Sequence, residues 1–163
     1  MEYNKLNINS KKSWLIARLI TTIIFGVILY GGQWFLKKQF NWKWLINYNT
    51  TINIVIGIVM VFLLLNTFLY PIIEYNQWKY IITEDKVDFT EGIFILKRTV
   101  IPILRIQHIT VTQGPINKLF NLGDISIVTA GGSHKIPNIE MAKAEEISEY
   151  LKNKVKQKVE ENE

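Results

Sequence analysis

Few residues in this chain have the type and spacing to do chemistry. The two histidines, His108 and His134, stand twenty-six residues apart, and neither has a Cys, Asp or Glu at ligand spacing in a short motif. Ser126, Ser133 and Ser148 lack a nucleophile elbow, and no G-x-G-x-x-G, P-loop, H-E-x-x-H or G-x-S-x-G pattern occurs. Carboxylates cluster at Glu84-Asp85 and in the last twenty-five residues, where glutamates alternate with lysines as on a solvated helix face. The absence of cysteine removes disulfides, thiolate metal sites and a Cys nucleophile. An enzyme needs perturbed groups gathered in a concave site. The sequence signals none, and we read it as non-enzymatic, with no cofactor and no metal.

The binding candidates are basic and polar. Lys97, Arg98, Arg105, Gln107, Lys118 and Lys135 fall near strand ends and loops of the second half. A phosphate site needs several donors converging, as Arg forks or backbone N–H groups. Lys97 and Arg98 are adjacent, so on a strand they point to opposite faces. Arg105 has a second reading, as a structural cation paired with an acidic residue at a bend.

These candidates must be held by two unlike halves. Up to Tyr75 there are seven basic and two acidic side chains, which accounts for the whole net charge of +5; the remainder is dense in charge and neutral overall. That distribution disfavours nucleic-acid binding. Cations flanking apolar runs suit anionic lipid instead. Leu19–Leu36 carries no charge, and as a helix it reaches about 27 Å, close to the roughly 30 Å of a bilayer core. Ile52–Ile73 is longer and more apolar. We expect spans at about 14–36 and 52–73, with Trp14, Trp34 and Tyr70 at interfaces. Neither span holds an ionisable group at depth, which disfavours a small transporter or channel subunit. Thr21 and Thr22 are expected to bond back to their own helix and Asn66 to bond across to its neighbour, while Thr22 and Gly26 have the small-xxx-small spacing of close helix packing.

From Trp78 the period shortens. WKYIIT, VDFTEG and IFILKRTVIPI read as strands, with turns at Glu84-Asp85 and Glu91-Gly92. Ile109 and Val111 alternate with polar neighbours, whereas Leu104 and Ile106 fall in the opposite phase, so a bulge or bend is expected between Ile106 and Ile109. NKLFNLG reads as a single turn and a loop, and DISIVTA with SHKIPN as a hairpin about Gly131-Gly132. Met141, Ala144, Ile147, Leu151, Val155 and Val159 then recur at helical spacing, with Asn138 as the expected N-cap and fraying expected past Val155.

Several ordered pieces carry a resemblance. They are Trp78-x-Tyr80, Gly92-Ile93, IP-x-x-RIQ at 101–107, VTQGP at 111–115, LFNLGDISIVTAGG at 119–132 and the final helix, all after two spans. The chain resembles the YdbS-like family of bacterial pleckstrin-homology-like membrane proteins over about Lys11 to Lys152. The resemblance implies two transmembrane helices (1–75), then a mainly-β pleckstrin-homology-like barrel of about seven antiparallel strands with a C-terminal helix (76–163). It also implies a membrane accessory role, linked to envelope stress or antimicrobial tolerance. It brings no catalytic residues.

The expected function is a membrane-anchored module that binds a protein partner, either a second copy or a sibling of the same domain type. The alternative is binding of anionic headgroups by the five cations among them, Lys97, Arg98, Arg105, Lys118 and Lys135. Lys5, Lys11, Lys12 and Arg18 outweigh the loop's Lys37, Lys38 and Lys43, so both termini are expected on the cytoplasmic side of a bacterial cell membrane. A reporter fused at Glu163 that works only in the cytoplasm should be active; a fusion active only outside the membrane would overturn this topology.

Overall fold

A computed structural model describes residues 3–40 and 47–160; Lys43 and Glu163, on which the topology expectation draws, lie outside the described residues. Two compact units form, one from Trp14 to Tyr70, the other joining the residues up to Ser13 to those from Pro71 onward.

Two helices build the first unit: α1 (Ser10–Phe40) and α2 (Asn49–Gln77), whose terminal turns continue into the second. Both are long and apolar enough to cross a bilayer, and only 6% and 11% of their most apolar windows are buried. A core helix of a soluble protein would be covered; these present Ile23, Phe25, Ile28, Ile58, Phe62 and Leu65 outward all round. The helices meet through small and polar groups. The hydroxyls of Thr22 and Thr67 lie 3.0 Å apart and are buried. A Cβ on Gly26 would come within 2.9 Å of Met60 Cε, so glycine lets the helices close there. Thr21 donates back to Ala17 O and Thr67 to Leu63 O, as expected, whereas Thr22, expected to do the same, reaches across to Thr67 because it faces the neighbouring helix. Asn66 departs from its expected role: it donates to Phe62 O of its own helix, and Thr67, one residue on, faces the neighbour. Such an interhelical bond is worth about 0.6 kcal/mol, so shape carries most of this packing.

The second unit is a β structure. Strands β1 (Lys79–Ile82), β2 (Lys86–Glu91) and β3 (Lys97–Pro102) form one antiparallel sheet. A 3-10 turn (Ile103–Arg105) leads to β4 (Ile106–Thr112), then α3 (Pro115–Leu119), β5 (Leu122–Thr129) and β6 (Gly132–Glu140), and β4, β5 and β6 form the second sheet. The closing helix α4 (Met141–Glu160) packs on the 3-10 turn and on β4, β5 and β6. Between them lie Tyr80, Val87, Phe89, Ile103, Leu122, Ile125, Ile127, Ile136 and Leu151, all 2% exposed or less. Trp78 stacks on Phe89 at 5.8 Å.

Six strands form among the described residues, not seven. The expected strand from Ile93 begins only at Lys97, because Gly92 turns the chain with φ +123° and Ile93–Leu96 is spent on the connection. A side chain at residue 92 would put its Cβ 2.0 Å from Ile95 O, so only glycine fits. The 3-10 turn, after Pro102, uses the rest of that stretch. The bulge expected before Ile109 is present, between Ile106 and His108. The hairpin at Gly131-Gly132 is also present. Asn138 is not the N-cap of α4. It lies buried in β6, with φ +53°, where a second bulge sets the register against Gly123 and Ile125. Asparagine tolerates that left-handed conformation better than most residues. The helix α4 continues to Glu160 rather than fraying at Val155, and Lys158 pairs with Asp85 in the β1–β2 turn.

Candidate functional site

The register gives the β unit two distinguishable ends. Lys79, the first residue of β1, pairs with Thr90, and Glu91 with Lys97. The β2–β3 connection therefore lies at the end where the chain arrives from α2; call this the proximal end. The β5–β6 turn and the 3-10 turn lie at the opposite, distal end, since Ile106 pairs with Thr129 and Lys86 with Pro102.

A cleft of about 560 Å³ opens at the distal end. Its walls are the end of β3 (Thr99–Pro102), Leu104 and Arg105 of the 3-10 turn, Gln107, the β5–β6 turn and His134. Among the described residues β3 pairs with β2 alone and β4 with β5 alone, so each sheet ends in an unpaired edge, and the cleft is lined by the end of β3 and by Gln107 of β4. Val100 and Leu104 line it with exposed apolar surface. His134 packs edge-on against Phe89, with ring centres 6.2 Å apart, which fixes one wall. A smaller groove of about 220 Å³ shares Gln107 and continues beside β4 to Lys152 and Val155 of α4. The cleft offers binding surface. Among the described residues no cluster of three His, Cys, Asp or Glu forms that could hold a metal.

Of the six sequence-nominated residues, Arg105 and Gln107 share this cleft. Among the described residues Arg105 makes no ion pair, so the acidic partner expected at the bend is not found. The other four lie elsewhere. Lys97 stands at the proximal end of β3 and Lys118 in α3. Arg98 clasps Asp88, with Nη2 2.6 Å from Oδ2 and Nε 3.0 Å from Oδ1. Tyr3 donates to the same carboxylate and accepts from the same guanidinium. Lys135 pairs with Asp124 at 2.8 Å. Two of the five cations thus neutralise carboxylates of their own domain.

The sequence reading missed those carboxylates. Asp88 and Asp124 each sit in an apolar strand stretch, VDF and GDISI, and end up buried. A carboxylate at such a position needs a partner, which was the available signal. It missed too that Ile93-Phe94-Ile95-Leu96 does not alternate, as a half-buried strand would.

The bacterial PH domain family matches residues 14–155. The chain belongs to that family. It is 26% identical over 148 residues to the UPF0699 transmembrane protein YdbS of Bacillus subtilis, covering 91% of this chain and 89% of that one. It is 29% identical over 120 residues to the UPF0699 transmembrane protein YdbT of the same organism, covering 71% of this chain but only 24% of that longer protein. No solved structure matches it. The two apolar helices, the paired three-stranded sheets and the closing helix are consistent with a PH-like fold in a YdbS-like membrane protein.

Arg98, with Tyr3, holds the Asp88 carboxyl below the usual carboxylate range. A lowered folded value means the pair contributes fully above the unfolded value of about 4 and is lost as pH falls through the folded one. Asp88→Asn should therefore cost roughly 1.5–3 kcal/mol at pH 7, towards the low end because Arg98 is 59% exposed. The gap from wild type should close below pH 4. Denaturant unfolding of the full-length chain in detergent at both pH values checks this.

Proposed function

We propose that this protein is a non-enzymatic, membrane-anchored interaction module. Its distal cleft takes a segment of a protein partner, and the partner is a second copy or a sibling membrane protein of the same domain type. One observation carries the reading. Two unpaired strand edges border a cleft that also holds exposed apolar surface and an Arg105 with no ion pair among the described residues. An extended segment can add to a free edge through main-chain hydrogen bonds, with side chains seated in the adjoining cleft. Arg105 would then meet a carboxylate of that segment through a bidentate pair. The physiological setting we propose, envelope stress or antimicrobial tolerance, is supported by the family resemblance.

Headgroup binding by the five nominated cations has weaker support. A phosphate site needs donors that converge. Lys97 and Arg105 stand at opposite ends of the β unit, and Arg98 and Lys135 are engaged by carboxylates.

A photocrosslinking residue at Gln107, in the full-length chain in its own membrane, separates the readings. The expected product is a protein adduct whose mass identifies a second copy or a sibling. Arg105→Glu should lower its yield about tenfold, as the loss of one charge-assisted contact would. Lipid adducts alone would favour the headgroup reading, and no adduct would overturn the cleft as a binding site.

A further inference from the structure

The proximal end carries apolar surface that the core does not use. Phe94, Ile95 and Leu96 are 83%, 84% and 59% exposed at the tip of the β2–β3 connection. Leu119, at the end of α3, is 75% exposed. Each apolar point has an exposed lysine beside it in sequence, Lys97 and Lys118.

Two independent observations tie these points to the places where the spanning helices join the β unit. First, the strand register puts the 93–96 tip at the same sheet end as Lys79, two residues past the end of α2. The apolar surface of α2 reaches Ile72 and Ile73, about one helical turn or 6 Å before Gln77. Second, Ser13 Oγ donates to Asn117 Oδ1 at 2.5 Å, which pins α3 to the residue just before the spanning unit begins. Lys118 and Leu119 follow Asn117 directly. The same end gathers Lys11 over the Tyr75 ring at 4.3 Å, with Lys12 exposed beside it.

Exposed apolar side chains next to lysines, on a domain attached to a bilayer at two points, match the chemistry of the membrane interface. Apolar groups enter the boundary between headgroups and acyl chains, and lysines meet anionic phosphates. A protein partner would have to compete with a bilayer that is always within reach. We propose that the proximal end of the β unit is a bilayer-docking surface. Ile95, Leu96 and Leu119 enter the interface of the membrane that the chain spans, and Lys97 and Lys118 lie at lipid phosphates. This surface is separate from the distal cleft and does not rest on the partner-binding reading.

The absence of cysteine makes a direct test simple. Single-cysteine variants Ile95→Cys, Leu119→Cys and, at the distal turn, Ser133→Cys would carry an environment-sensitive fluorophore. The full-length chain would be placed in nanodiscs of mixed phosphatidylcholine and phosphatidylglycerol, where iodide reaches both faces. Labels at residues 95 and 119 should be quenched several-fold more by a lipid-borne nitroxide, and several-fold less by iodide, than the label at 133. Leu96→Glu should reduce the nitroxide quenching at 119 without unfolding the core, since residue 96 is exposed. If the label at either 95 or 119 behaves like the one at 133, the docking surface is wrong.

Discussion

Much of the β unit depends on how one buried carboxylate is satisfied. The Asp124 side chain is 11% exposed and lies at the β5–β6 bulge. Its Oδ1 accepts the backbone N–H of Asn138 at 2.8 Å and the side-chain amide of Asn117 at 3.2 Å, and Oδ2 meets Lys135 at 2.8 Å. A carboxylate taken out of water without such donors would be strongly unfavourable. Satisfied, it binds three elements together: β6 through Asn138 and Lys135, α3 through Asn117, and its own β5. The bulge is what makes this work. One extra residue on β6 releases the Asn138 N–H from the ladder and aims it at Asp124. The Asn138 carbonyl is then available to Ser10 Oγ at 3.2 Å and to the Asn7 N–H at 3.4 Å.

Through those last contacts the network reaches the start of the chain. Asn4 exchanges two backbone hydrogen bonds with Tyr80, at 2.8 and 2.9 Å, beside β1. Leu6 is buried, Ser10 bonds to Asn7 and Asn138, and Ser13 bonds to Asn117. The N-terminal segment is therefore part of the β unit, and the first turn of α1 grows out of it. With α2 feeding β1 through a single residue, Trp78, both helices leave from structured attachments rather than loose linkers. The distal end of the β unit keeps two strand edges without a strand partner among the described residues, together with Arg105.

What the sequence made legible follows from periodicity. Two long uncharged runs could only be helices with apolar surface all round. Alternation at Ile109 and Val111, the phase slip after Ile106 and the diglycine at 131–132 gave β4, its bulge and the final hairpin. The helical stripe gave α4. What stayed hidden depends on contacts distant in sequence. Nothing local says that Asn138 is a bulge residue with a left-handed backbone, since its partners are Asp124 and Ser10, 14 and 128 residues away. Asn138 also precedes a helix at cap-like spacing, so the local rule gave the wrong role. Likewise, Arg98 and Lys135 look like solvent-facing cations until Asp88 and Asp124 are placed beside them. Of the six nominated residues, Arg105 and Gln107 come together because the IP-x-x-RIQ stretch turns as one 3-10 unit into β4.

The N-terminal segment is built into the β unit through the Asp124 network. Hydrogen exchange on the full-length chain in nanodiscs tests it most directly, read from a peptide spanning residues 3–13. This peptide should be protected in the wild type to about the same degree as β1. Asp124→Ala should strip the protection while the spanning helices stay protected. An N-terminal peptide that exchanges at the rate of free chain in the wild type, or one indifferent to Asp124→Ala, would contradict it.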